Sequence, residues 1–354
     1  MSNLNEMGQE ESTKPYSLAG VDLTEATMSG IDLEGVDLGG AWLELADFTG
    51  TNLRGANLSS TELFNTNLKD TDLSSARLEK SSLLRTKLDN SNLKNTNLNG
   101  AFIGETTLVG VDMTGATMID AVMRRVLIDR NQLITVNIKG CTFAEMDLSD
   151  NSFIDKDIEG MVAEYIDFSK SDFTGANLKN AKLRKSCFKE AFLTGADLTR
   201  ADLSNAELSL AILHKAVMGY ANLTASTFIG ANCTDVDFSG SVIHDTDFTA
   251  ANLSNANLSN LDLPTVIFNN SIMTGALFVN SDMSDMSLVD MDFSNAKLNG
   301  GDFSGADLSY SIFKGADLSG ANFEGANLEY ADFTGANLDG ADFTDADTMN
   351  AIGL

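Results

Sequence analysis

The strongest constraint on this chain is a repeat of five residues. Between Asp292 and Asp347 it reads MDFSN, AKLNG, GDFSG, ADLSY, SIFKG, ADLSG, ANFEG, ANLEY, ADFTG, ANLDG, ADFTD. The large apolar residue of each unit, its centre, has a number ending in 3 or 8. The register holds from Leu18 to Phe343, 66 consecutive units without insertion or deletion, and only Ala163 and Cys233 depart from Leu, Ile, Met or Phe at the centre. On an α-helix five residues sweep about 500°, so successive centres would drift by about 140° and form no apolar stripe. On a continuous strand an odd period would send centres alternately to opposite faces. Each unit must therefore carry its own corner. The small residue two before the centre, usually Ala, and the centre itself both point inward from a short extended piece. The two polar or glycine residues after the centre turn the chain. A chain that turns the same way every five residues winds into a solenoid whose coils stack at about 4.8 Å.

Units such as ADLSG and ANLEY resemble the A(D/N)LXX motif of the pentapeptide repeat family, and the resemblance runs over nearly the whole chain. It implies an all-β fold, a right-handed quadrilateral parallel β-helix with four units, or 20 residues, per coil. Periodicity alone does not choose four sides over three. With four, the 66 units make about 16 coils and one elongated rod of roughly 80 Å. Residues 1–16 read as a flexible, polar N-terminal tail without the basic start and apolar run of a signal peptide. Residues 17–347 read as the repeat helix, and 348–354 as a short C-terminal cap or dimer contact through Met349, Ile352 and Leu354. C-terminal dimerisation follows from the resemblance. No run approaches 18 apolar residues, so no membrane span is expected, and the expected location is the cytoplasm.

Between Thr61 and Thr106 the inward small position is mostly Thr or Ser, whose hydroxyls can bond backbone within a core. Residues 111–170 are the least regular. There the inward small position holds Val126, Asn131, Val136, Met146, Asn151, Lys156, Met161 and Ile166. Side chains of that size crowd a narrow tube, and a buried Lys156 is costly. The coils are expected to bulge or bend here, or Asp155–Tyr165 to leave the helix as a loop or helical turn. Because the register resumes, any excursion preserves it.

Charge is distributed unevenly. Residues 1–53 carry 10 acids and 1 base, 54–215 carry 22 and 20, and 216–354 carry 19 and 2, for nets of −9, −2 and −17. Bases cluster at Lys179, Lys182, Arg184, Lys185 and Lys189. With a 20-residue coil, one face of the last coils carries Asp245, Asp262, Asp282, Asp285, Asp302, Glu324, Asp342 and Asp345 and no Lys or Arg. Asp262, Asp282 and Asp302 should stack one per coil. Tyr310 and Tyr330 should stack at one corner, as should Phe64 and Leu84, and Trp42 should face outward.

Nothing in the sequence points to catalysis, a cofactor or a metal. His214 and His244 should lie on opposite faces. Cys141, Cys187 and Cys233 are scattered without CxxC spacing, and a filled tube leaves no substrate cavity. The leading functional expectation is a non-enzymatic protein-binding rod that presents side-chain ladders to a macromolecular partner. A sharper one follows from the resemblance, since some pentapeptide repeat proteins bind DNA gyrase or topoisomerase IV in place of DNA. From 236 to 347 there are 18 acids and 2 bases, one net charge per ~1.7 Å of axis, close to duplex DNA. A structural or secreted-effector scaffold is the third reading. Against the sharper one stands a plainer account: Asp before the centre suits the turn and keeps a long rod soluble. Direct nucleic-acid binding is disfavoured by the negative field.

Overall fold

The computed structural model of the protein describes residues 16–354, so the expected tail lies outside the described residues except for Tyr16. The chain forms two compact units, Met1–Asn137 and Ile138–Leu354. Within each, parallel bridges join residues 20 apart. In the first unit they run Asp32, Asn52, Asp72, Asn92, Asp112; in the second, Asp262, Asp282, Asp302 and then Asn322, Asp342. A corner every five residues and a partner every 20 make each coil four-sided, which the period of five by itself did not require. Short strands are β1 (Ser82–Leu84), β2 (Phe102–Gly104) and β3 (Val122–Arg124), paired in that order, in the first unit, and β4 (Thr142–Ala144) in the second.

The repeat motif follows from accounting for backbone N–H groups, nearly all of which must be bonded when buried. In the unit around Leu53, the Leu53 N–H donates to the Asp72 carbonyl at 2.8 Å and the Gly55 N–H to Ser74 at 2.9 Å. The Asn57 N–H donates back to Val36 at 2.9 Å, and the Ala56 N–H closes the turn onto Leu53 at 3.0 Å. One donor remains, the N–H just after the centre. It is taken by the side chain just before the centre: Arg54 N–H donates to Asn52 Oδ1 at 3.1 Å. Asp and Asn occupy that place because their short side chains reach a backbone N–H two residues on.

The second residue after the centre is left-handed in all but three described units, from Glu25 (φ 60°) to Asn350 (φ 59°), glycine or not; Arg130, Thr135 and Thr265 are the exceptions. With the residue before it at negative φ, this is the signature of a type II turn, whose first corner position favours proline. Pro264 stands at that position, in a unit where Thr265 is not left-handed. The left-handed side chains lean over the next coil. The Tyr220 ring covers Gly240, where an added Cβ would lie 2.7 Å from a ring carbon.

Inside, centres and small residues fill the tube. In the last coils Phe occupies two opposite sides and Leu the other two. Phe293, Phe313 and Phe333 stack at 5.2 and 4.8 Å, and Phe303, Phe323 and Phe343 at 5.0 and 5.1 Å. The two columns meet edge to face at 6.0–6.5 Å. The hydroxyls of the early coils are buried and bonded, as when Thr66 Oγ1 donates to the Leu43 carbonyl at 2.7 Å.

The irregular region corrects two expectations. Asp155–Tyr165 does not leave the helix; it keeps the regular bridge-and-turn pattern. Met161 fits because its centre is Ala163, so large and small exchange places, and both are fully buried. Lys156 is half-buried, and burial lowers its pKa. The excursion falls instead at 128–135, where Gln132–Thr135 form a 3-10 turn. Asn131 is exposed and left-handed rather than inward. Side chains replace the lost ladder without changing the register. Gly110 N–H donates to Asp129 Oδ2 at 2.7 Å, where a regular coil offers the Asp129 carbonyl. Gln132 Nε2 donates to the Val111 carbonyl at 2.9 Å, where a regular coil offers the Gln132 N–H, and to Leu108 at 2.6 Å. Gln132→Leu keeps the bulk and orphans the Val111 carbonyl. The expected outcome is a loss of about 1–3 kcal/mol in urea unfolding.

Candidate protein-interaction faces

All eight acidic residues expected on one face lie on residues 241–245 and their 20-residue equivalents, within the second unit. Asp262, Asp282 and Asp302 are successive bridge partners, followed by Asn322 and Asp342. Two neighbouring carboxylates are held from behind by the turn that follows them. Ser284 N–H donates to Asp282 Oδ1 at 2.9 Å, and Ser304 N–H to Asp302 Oδ1 at 3.0 Å. Asn322 Nδ2 adds a bond to Asp302 Oδ1 at 3.1 Å. Asp262 has no such donor, because Pro264 lacks an N–H. Asp245, Asp285 and Asp345 are left-handed corner residues with φ of 55–57°, all exposed. Glu324 is exposed, and its N–H donates to Asn322 Oδ1 at 3.0 Å.

Asn performs the turn bond as well as Asp. On the early coils the two alternate, and each Asn donates to the Asp one coil before it: Asn52 to Asp32 at 2.8 Å and Asn92 to Asp72 at 3.0 Å. Three Asp in succession, about 4.8 Å apart, forgo those bonds and oppose like charges. The turn explains a polar residue there; it does not explain Asp262, Asp282 and Asp302 all being charged.

Thr344 hydroxyl and N–H lower the pKa of Asp342. On the opposite face Asp332 is held at about 2 by the Thr334 side chain and by Lys314, whose Nζ lies 2.9 Å from Oδ2. A folded pKa below the unfolded value of about 3.9 gives stability that is complete above that value and lost as pH falls through the folded one.

At the C-terminus the ladder runs on through residues 348–354 to Ile352, whose N–H bonds the Ala331 carbonyl at 3.0 Å. Met349, Ile352 and Leu354 are exposed, each by more than half, and Leu338 and Phe343 are half-exposed. Tyr310 and Tyr330 stack at 4.9 Å, and Trp42 is exposed. His214 lies on the 211–215 side, 3.7 Å from Asp235, and His244 on the 241–245 side. Cys141 and Cys233 are buried, and burial pushes the Cys233 thiol up. Among the described residues no three His, Cys, Asp or Glu side chains converge to hold a metal, and no helix is long and apolar enough to cross a membrane.

One grouping escaped the sequence reading. Lys182, Arg184 and Lys185 share a face with the acidic row, since 182 and 262 differ by a multiple of 20. Arg184 Nη2 donates to Tyr165 Oη at 3.0 Å, and the Lys185 ammonium lies 5.3 Å from the Tyr165 ring centroid. The signal is legible in the sequence when the bases are sorted by their place in a 20-residue coil.

A four-sided β-helix with a filled interior and ladders on its faces defines a repeat scaffold. Its family is shown by the sequence. The pentapeptide repeats (8 copies) model matches residues 17–40, 31–70, 41–79, 66–104, 86–125, 157–189, 176–214, 216–255 and 316–347, and the pentapeptide repeat region model matches 247–323. The chain belongs to the pentapeptide repeat family. Among solved structures it is similar to HetL, a pentapeptide repeat protein involved in heterocyst differentiation regulation from the cyanobacterium Nostoc sp. strain PCC 7120. Identity is 29%, over 58% of this chain and 89% of that one, with a TM-score of 0.46. A pentapeptide repeat protein of the Arabidopsis thaliana thylakoid lumen is 32% identical over 27% of this chain and 69% of its own, at 0.22. QnrB1, a plasmid-mediated fluoroquinolone resistance protein, is 17% identical over 55% of this chain and 89% of its own, at 0.21. No curated protein matches the chain.

Proposed function

We propose that this protein is a non-enzymatic, cytoplasmic binding scaffold whose acidic C-terminal face docks a protein partner bearing a cationic surface. The observation that carries this reading is the run Asp262, Asp282, Asp302 on successive coils. Charge is retained there although Asn would serve the turn, and the turn bonds hold Asp282 and Asp302 in place before any partner arrives. Preorganised carboxylates cost a partner little ordering entropy.

The spacing of charge favours a second reading. A net −16 over residues 236–347, at one charge per ~1.7 Å, suits a partner built to grip duplex DNA. DNA gyrase or topoisomerase IV is such a partner, bound through imitation of DNA. The test is a supercoiling assay with each enzyme beside an untargeted pulldown, comparing wild type with D262N/D282N/D302N. Asn keeps the turn bonds at 282 and 302, so circular dichroism should be unchanged while inhibition and capture fall. Inhibition that survives the triple change removes this face as the site. A wild type that inhibits neither enzyme removes the topoisomerase reading and leaves the pulldown to judge the general one.

A homodimer through Met349, Ile352 and Leu354 completes the proposal. These side chains and the half-exposed Phe343 leave the last coil with apolar surface that a second copy would cover. Light scattering at micromolar concentration should give twice the chain mass, and a monomer mass would refute it.

A further inference from the structure

A chain of net charge −28 places three cations on one coil of the face that bears its acidic row. Lys182, Arg184 and Lys185 are all exposed, and none lies in an ion pair. Some other cations of the chain are answered by an acid about one coil on, Lys69 by Asp89, Arg85 by Glu105, Lys170 by Glu190 and Lys179 by Asp197, while Arg54, Arg77, Lys80, Lys87, Lys189, Arg200, Lys215 and Lys297 are not. Lys182 does bridge Asp202 through the backbone, but Asp202 Oδ1 accepts from the Ser204 N–H at 3.0 Å and Asn222 Nδ2 at 3.1 Å, and no ion pair forms. Between the cationic coil and the acidic row, residues 202–225 present Ser204, Asn205, Asn222, Thr224 and Ala225, small and uncharged apart from Asp202.

We propose that this face, residues 181–185 through 261–265 in 20-residue steps, docks antiparallel against the same face of a second copy, with the two-fold axis at the coil of Asn222. A two-fold axis across the face reverses coil order and keeps each lateral position, so each residue meets its own coil position. Lys182 then meets the partner's Asp262. Arg184 lies over its Pro264, and Lys185 falls between its Asp245 and Asp285. Asp202 meets Val242, which is exposed, and Ser204 meets His244. Asn222, Thr224 and Ala225 meet themselves, and their small size lets two sheets approach to about 10 Å. From 181 to 265 no like charges are directly opposed in this register. Moving the axis half a coil toward the C-terminus would set Asp202 against Asp262. The contact does not depend on the acidic face having another partner, and it differs from the C-terminal dimer in the residues it uses.

The test is a charge swap read by sedimentation velocity at low and high salt. One variant is K182E/R184E/K185E, the other D245K/D262K/D285K, and circular dichroism checks that each stays folded. Wild type should sediment as a larger species at low salt than at about 0.5 M, where charges are screened beyond ~4 Å and only a C-terminal dimer would persist. Each variant alone should weaken association about a hundredfold or more, and an equimolar mixture should restore it, because every reversed charge then meets a reversed partner. A wild type that stays monomeric at low salt overturns the proposal, as does a dimer that either reversal leaves intact or a mixture that fails to recover. A dimer lost only on changing Met349, Ile352 and Leu354 to polar residues assigns association to the C-terminal end instead.

Discussion

Phe168→Ala is expected to destabilise the second unit by about 3–5 kcal/mol, the range for removing a fully buried aromatic ring. Phe168 stacks on Phe188 at 5.1 Å and meets Phe153 and Phe173 edge-on at 5.9 and 5.3 Å. All four rings are fully buried. The site cannot collapse to relieve the cavity, because ladder hydrogen bonds on both sides hold the coil spacing: Phe168 N–H to the Cys187 carbonyl at 2.7 Å on one side, and Leu148 N–H to the Asp167 carbonyl at 2.9 Å on the other. Loss also spreads, since each coil of a solenoid is stabilised only by its neighbours. Urea unfolding should show the lowered midpoint. Hydrogen exchange should show the lost protection concentrated in the coils from Phe153 to Phe188. Phe168→Leu should recover most of the loss, since Leu is the commonest centre of this chain. A Phe168→Ala variant within 1 kcal/mol of wild type would contradict the packing described.

Ala211→Asp is expected to be worse at neutral pH and to improve in acid. Ala211 sits in a column of Ala191, Ala211, Ala231 and Ala251, each no more than 1% exposed. A carboxylate there has no partner and little room, and isolated buried charge costs several kcal/mol. Burial disfavours ionisation, so the folded carboxyl titrates above the unfolded value of about 3.9. Below that value both states are protonated and the ionisation penalty vanishes. As pH rises above it, the unfolded chain releases a proton that the folded chain retains, and stability falls by about 1.4 kcal/mol per unit until the folded pKa is reached. The variant should therefore be nearest to wild type around pH 4 and lose most stability near pH 7, as read from urea midpoints across that range. A pH-independent difference would show that the side chain has escaped to solvent.

The period of five determined much of this molecule without coordinates. Centres from Leu38 to Phe333 are buried apart from Ile128, because one large apolar residue per unit can only point inward when each unit turns once. The stack of Asp262, Asp282 and Asp302 followed once a 20-residue coil was adopted, and the pairing of Tyr310 with Tyr330 likewise. Tertiary structure decided what depends on neighbours one coil away. That Met161 is accommodated by Ala163, that Gln132 replaces its own N–H at the Val111 carbonyl, and that 128–135 rather than 155–165 leaves the ladder are matters of volume and donor placement between coils. That Asp before the centre suits the turn is legible in the sequence; that it does so by accepting the N–H just after the centre is decided by the coil, whose carbonyls take the neighbouring donors. The turn bond asks for a short side-chain oxygen and is indifferent to its charge, so motif alone could not say where Asn would have served as well as Asp.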